Sequence, residues 1–284
     1  VTAIAEDTQG HIWIGTFRGL NKNNVHDYHQ YFCTDDSLGL PDNQITHLLR
    51  DSKNRFWVGT VNGVCLYTDK DNFRIIPIEA DNKNVRQILE DRNGRIFLNT
   101  GFQLYAYHPR EEKITCVLPE ISPGNAFYAQ CHIAPDNNLW VMTSTGLRCY
   151  DPSTLQLKES VALSGYPYYS YLHNNELWIT GNHTLSIFDT RTHSFKPLPQ
   201  PIAHNTTLCN ADIDYIHPYG NNGLLLNTAR HGMFYYNPGT GSVTRQDENG
   251  FPFEMPRFRI SRMFTDSQQN LWIGSVDQGY TVCY

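Results

Sequence analysis

The sequence predicts an all-β fold: one seven-bladed β-propeller over residues 1–284, with four-stranded blades and an incomplete last blade. Three observations carry this expectation. A unit recurs seven times at spacings of 38 to 47 residues, the period range of propeller blades. All five tryptophans occupy a single position within that unit. No segment between the repeats shows the apolar spacing of an amphipathic helix, which an alternating α/β fold would need.

The unit is plainest at its centre. His11-Ile-Trp-Ile-Gly-Thr16, Arg55-Phe-Trp-Val-Gly-Thr60 and Arg95-Ile-Phe-Leu-Asn-Thr100 are followed by Asn138-Leu-Trp-Val-Met-Thr143 and Glu176-Leu-Trp-Ile-Thr-Gly181. Gly223-Leu-Leu-Leu-Asn-Thr228 and Asn270-Leu-Trp-Ile-Gly-Ser275 complete the series, placing Trp13, Trp57, Phe97, Trp140, Trp178, Leu225 and Trp272 in register. Each unit opens with a first strand, as at 45–50, 85–90 and 260–265, and a polar turn such as Asp51-Ser-Lys-Asn54. Asp starts such turns well and Asn or Gly tolerates positive φ at their end. The tryptophan strand is second. It is apolar throughout because a blade is covered on both faces, and its ring fills the wedge between neighbouring sheets. A glycine turn (Gly63, Gly146, Gly232) opens a third strand that closes on Tyr67, Tyr107, Tyr150, Phe188 or Tyr236. Fourth strands are expected at 73–78, 114–118 and 194–198. Counting strands from Val1 to Tyr284 gives six fourth strands for seven blades, so the last blade should lack its outer strand, as in a piece cut from a longer chain.

Composition excludes several classes. A net charge of −6 disfavours nucleic-acid binding. No apolar run approaches membrane-span length, and the first residues read as a strand rather than a signal peptide. Seven scattered cysteines without a C-x-x-C pair fit neither a zinc site nor a disulfide scaffold. They read as small buried hydrophobes. No metal or cofactor is expected.

The run from Ile45 to Val64, Ile-x-x-Leu-x-x-Asp-x-x-x-x-Phe-Trp-Val-Gly-Thr-x-x-Gly-Val, with Tyr67 after it, resembles the two-component-regulator propeller repeat. It recurs at 1–20 and 260–279, more loosely in units 3 and 4, and weakly in units 5 and 6. The resemblance implies the periplasmic sensor region of a hybrid two-component system from a glycan-degrading bacterium. Such a region has two propellers and a β-sandwich ahead of an inner-membrane helix and a histidine kinase. The expected ligand is an oligosaccharide or glycan fragment. The expected partners are a second propeller or sandwich domain of the same receptor and a second copy as a homodimer, with membrane contact only through other segments.

A propeller gathers its strand 2–3 turns and the loops entering each first strand on one face. From these, Arg18, Arg86, Arg230, Arg257 and Arg259 are expected to converge on one rim, where guanidinium forks suit carboxylate or sulfate. Tyr128, Tyr168 and Tyr169 offer flat faces for a sugar ring, and Asp212 and His231 complete the candidate set. The ordinary reading of an Arg on a loop is a solvated or locally paired one, and Tyr clusters often pack a blade edge. His183 and His231 lie on corresponding turns of adjacent units, but no carboxylate stands at a matching sequence position, so no catalytic residue is assigned. The alternatives are a protein-interaction propeller or, third, a propeller lyase or hydrolase, since fold alone does not fix function.

Overall fold

The computed structural model describes residues 1–23, 28–34, 38–68, 71–121, 129–255 and 259–284. They form seven antiparallel sheets, six of four strands and a last of three, each meandering in chain order. Blade 2 is typical, with strands Ile45–Arg50, Phe56–Thr60, Gly63–Tyr67 and Phe73–Ile76. The first strands of the other blades are Ala3–Glu6, Gln87–Glu90, Gln130–Ile133, Pro167–His173, Ile213–Tyr219 and Ile260–Thr265. Each first strand packs beside that of the next blade, and the strand of blade 7 returns to that of blade 1, closing the ring. The last blade consists of Ile260–Thr265, Leu271–Ser275 and Tyr280–Cys283.

The closure is specific. The Val1 nitrogen donates to the Ser275 carbonyl at 2.6 Å. Ser267 of blade 7 gives its N–H and hydroxyl to the Glu6 carboxylate at 2.8 and 2.6 Å. The same device joins Ser52 of blade 2 to Glu90 of blade 3. The ends of the ring are therefore held as an interior junction is.

The repeated core position lies on every second strand. Trp13, Trp57, Phe97, Trp140, Trp178 and Leu225 are buried. The four tryptophans among them each meet the aromatic near the end of the next blade's third strand: Trp13 on Tyr67 (4.7 Å between centroids), Trp57 on Tyr107 (4.9 Å), Trp140 on Phe188 (5.0 Å) and Trp178 on Tyr236 (6.3 Å). Trp272 is the exception and is only partly buried. Its blade has no fourth strand, and blade 1 offers Asn23 where blade 2 offers Tyr67.

The turn aspartate does more than start a turn. Asp7, Asp51 and Asp266 each accept the indole N–H of the tryptophan six residues on, at 2.8 Å. Each also accepts backbone N–H groups of its own turn. Burial alone would raise the Asp7 and Asp266 carboxyls, but these donors outweigh it and hold both below the usual carboxylate range. In blade 3 the pattern loosens: Asp91 takes Arg95 instead, and Phe97 has no N–H to offer.

Two one-turn helices, Gln200–Ala203 and Thr206–Cys209, join blades 5 and 6 and were not expected from the sequence. Asn205 caps the second, accepting from the Leu208 N–H at 2.9 Å, and Ile202 and Leu208 are buried between the two blades. All seven cysteines are unpaired.

Candidate functional site

On the face where the strand 2–3 turns meet the entry loops, blades 4 to 7 enclose a cleft of about 540 Å³. Tyr166 and Tyr168 enter blade 5, Asn182 lies in its turn, Asp212 and Asp214 enter blade 6, and Arg259 enters blade 7. Two local devices shape it. First, the pairing of blade 5's first two strands shifts between Pro167 and Tyr169, and that of blade 6 shifts between Ile213 and Tyr215. Tyr168 and Asp214 are the extra residues of these β-bulges, which re-aim a side chain out of strict alternation. Second, a Cβ on Gly181 would stand 2.6 Å from Thr184 Oγ1 and 2.9 Å from the Tyr166 carbonyl, so the entry loop can close on this turn only over a glycine.

The turn is also tied to blade 6. The His183 N–H donates to Asp212 Oδ1 at 3.0 Å, and His183 Nδ1 lies 2.9 Å from the Asn210 carbonyl. The structure thus gives His183 the carboxylate neighbour that sequence position did not reveal. His231 is exposed on blade 6, with its N–H on Thr228 Oγ1 at 3.0 Å.

The predicted arginines are spread around the face rather than gathered on one rim. Arg259 lies in the cleft, and Arg230 in an adjoining hollow of about 380 Å³ that shares Asp214, Ala229 and Arg259 with it. Arg86 lines a separate hollow of about 270 Å³ with Phe17, Val61 and Arg262, around blades 7, 1, 2 and 3. Arg18 is exposed on the blade 1 turn, its N–H on Thr16 Oγ1. Tyr128 and Arg257 lie outside the described residues.

The two tyrosines of blade 5 divide in role. Tyr168 is exposed in the cleft. Tyr169 packs against Tyr215 (5.8 Å between centroids) with its hydroxyl 3.3 Å from the Ile216 carbonyl, so it joins blade 5 to blade 6 rather than facing solvent. Asp214 was missed by the sequence reading, although it occupies the bulge position of Thr46 and Tyr168 in other blades.

The cleft is acidic overall. Burial raises the Asp214 carboxyl, partly opposed by the Asn227 amide (2.6 Å) and by the Arg259 charge. Burial, then the Asp212 and Asp214 charges, push the Tyr168 hydroxyl up to about 12. It therefore stays protonated at neutral pH. The lining offers carboxylates that accept from hydroxyls, a guanidinium and an amide that donate, and two tyrosine faces.

Residues 1–18 and 39–62 match the model of the two component regulator propeller. Blades 1 and 2 thus each carry a two-component regulator propeller repeat. The matched residues contain Asp7 with Trp13 and Asp51 with Trp57, both partners of two of the aspartate–indole bonds. No match was found among curated proteins. Among solved structures the chain is similar to two extracellular domains assigned to hybrid two-component systems of B. thetaiotaomicron. To one it is 19% identical with a TM-score of 0.79, covering 99% of this chain and 39% of that one. To the other it is 16% identical with a TM-score of 0.78, covering 100% and 40%. Virginiamycin B lyase of Staphylococcus aureus is similar at 15% identity and a TM-score of 0.73, covering 98% and 92%. At these identities the likeness is one of fold. The chain spans about two fifths of the length of the two receptor domains. Among the described residues no helix is long and apolar enough to cross a membrane, and no group of three or more His, Cys, Asp or Glu could hold a metal ion.

Proposed function

We propose that this propeller is the ligand-sensing part of the periplasmic region of a hybrid two-component receptor, and that it holds an oligosaccharide or glycan fragment in the cleft of blades 4 to 7. The receptor's membrane anchor and histidine kinase lie in other parts of the same protein, and this region signals to them without chemistry of its own. The observation that carries the reading is the convergence of Tyr166 and Tyr168 with Asn182, Asp212, Asp214 and Arg259 around one cleft of ligand size. Flat rings edged by hydroxyl-binding groups suit a pyranose, whose faces are apolar and whose rim is polar. Two aspartates to one arginine favour a neutral saccharide over an acidic one.

Calorimetric titration of the protein with matched neutral and acidic oligosaccharides tests this. The neutral ligand should bind, and Tyr168→Ala should weaken it about three- to tenfold, the range of one lost aromatic contact. Arg86→Ala, outside the cleft, should leave binding unchanged. Preference for the acidic ligand, or indifference to Tyr168→Ala, would contradict this choice of site. Turnover of the saccharide would point to catalysis, with His183 and Asp212 as the first pair to vary.

A further inference from the structure

The opposite face carries a second cavity, of about 400 Å³, between blades 5 and 6. Its wall includes the first turn of blade 5 (His173, Asn174, Asn175 and Glu176) and Trp178. Trp178 is 2% exposed, and its indole N–H has no hydrogen-bond partner among the described residues. In blades 1, 2 and 7 the equivalent N–H meets an aspartate of that same turn.

The strand register shows what replaces the aspartate. Leu49 pairs with Trp57 and Arg50 with Phe56, and Asp51 follows opposite Arg55. In blade 5 Tyr171 pairs with Trp178 and Leu172 with Leu177, and His173 follows opposite Glu176. His173 thus stands in the aspartate's place, but its ring lies over Tyr171 (6.4 Å, 22° between planes). Blade 4 also lacks the acid, with Ala134 in its place and the Trp140 N–H unpartnered. Trp140, however, lines none of these cavities, whereas Trp178, whose indole N–H is buried and unpartnered, forms part of the wall of this one.

A buried donor left unmade is costly, and a group from outside can make the bond that the aspartate makes elsewhere. We propose that blade 5 holds a binding site for a small organic carboxylate, whose head group stands where Asp51 stands in blade 2 and accepts the Trp178 N–H. The charges around the cavity permit an anion. Lys196 Nζ lies 2.5 Å from Glu176 Oε1 and 3.8 Å from Asp189 Oδ2. Asp189 Oδ1 already takes the backbone N–H groups of Arg191 and Thr192. Both acids are thereby engaged, whereas the Arg191 guanidinium has no ion-pair partner among the described residues and can pair with the incoming carboxylate. Tyr236, Leu224, Pro199 and Pro238 supply an apolar wall for the rest of the ligand.

Indole N–H signals in ¹H–¹⁵N spectra of the protein read this directly, the Trp178 signal being assigned with Trp178→Phe. The probes are phenylacetate and glucuronate, with 2-phenylethanol and glucose as neutral counterparts. At least one carboxylate should move the Trp178 proton downfield, saturably, and leave Trp13, Trp57 and Trp272 in place. Arg191→Ala should weaken that binding about tenfold or more, the loss of a charge-assisted pair. His173→Asp should shift the Trp178 signal without ligand and abolish the response. The proposal is overturned if neither carboxylate moves the signal at millimolar concentration, if the neutral counterparts move it equally, or if Arg191→Ala binds as well as the parent.

Discussion

Blades 1, 2 and 7 and blades 4, 5 and 6 share one architecture and differ in how each is finished. In the first group an aspartate closes the first turn and takes the indole N–H of its own blade. In the second group that place belongs to Ala134, His173 and Tyr219, and the buried Trp140 and Trp178 N–H groups are unpartnered. The same irregular blades supply most of the main cleft on one face and the wall of the second cavity on the other. The regular blades also close the ring, through Val1, Glu6 and Ser267. The difference separates two tasks: regular repeats supply cohesion, and departures from the repeat supply surfaces. Local consistency stabilises, whereas functional sites are where it is given up.

The largest effect within the first group should come from emptying the core site of a four-stranded blade and of the three-stranded one. Trp57→Ala should cost about 3–5 kcal/mol in denaturant unfolding, the range for a buried aromatic removed to alanine. Trp272→Ala, at the partly buried position of the three-stranded blade, should cost about half as much, because burial and partner rings are both reduced. Equal costs would mean that the outer strand and the neighbouring tyrosine add little to the wedge.

A smaller effect should follow from moving the aspartate. Asp51→Ala leaves the Trp57 N–H and the Arg55 guanidinium without their acceptor and should cost about 1–3 kcal/mol. Ala134→Asp would bring the same acceptor to Trp140 and is expected to stabilise by about 1 kcal/mol. If it destabilises, the regular turn is not portable between blades, and blade 4 has been repacked around its alanine.

Much of this was legible in the residues. The core position and the aromatic near the end of five third strands follow from spacing alone, because each is a local pattern repeated at a fixed period, and the three-stranded last blade follows from counting those units. That the two aromatic series touch across blades adds a physical reason for their co-occurrence. The bond between Asp51 and Trp57 was hidden although both residues stood in the motif: six residues of separation bring them together only through the hairpin register. The gathering of arginines failed for a different reason. Sequence places Arg86 and Arg259 on one face but says nothing of their angle around the axis, and the structure sets them in different hollows. Tyr168 and Tyr169, expected together as ligand-facing, are separated by a one-residue bulge, which alternation along a strand does not foresee. The short helices before blade 6 had their signals in Pro199 and Asn205, which reads as a helix cap.

Hydrogen exchange of the backbone, with and without a bound neutral oligosaccharide, tests the division of tasks most directly. Residues 166–169, 181–184 and 210–215, the entry loops and turn of blades 5 and 6, should slow on binding. The corresponding residues 16–19 and 42–46 of blades 1 and 2 should exchange at the same rate in both states. Protection confined to the regular blades, or spread evenly around all seven, would contradict the assignment of binding to the irregular ones.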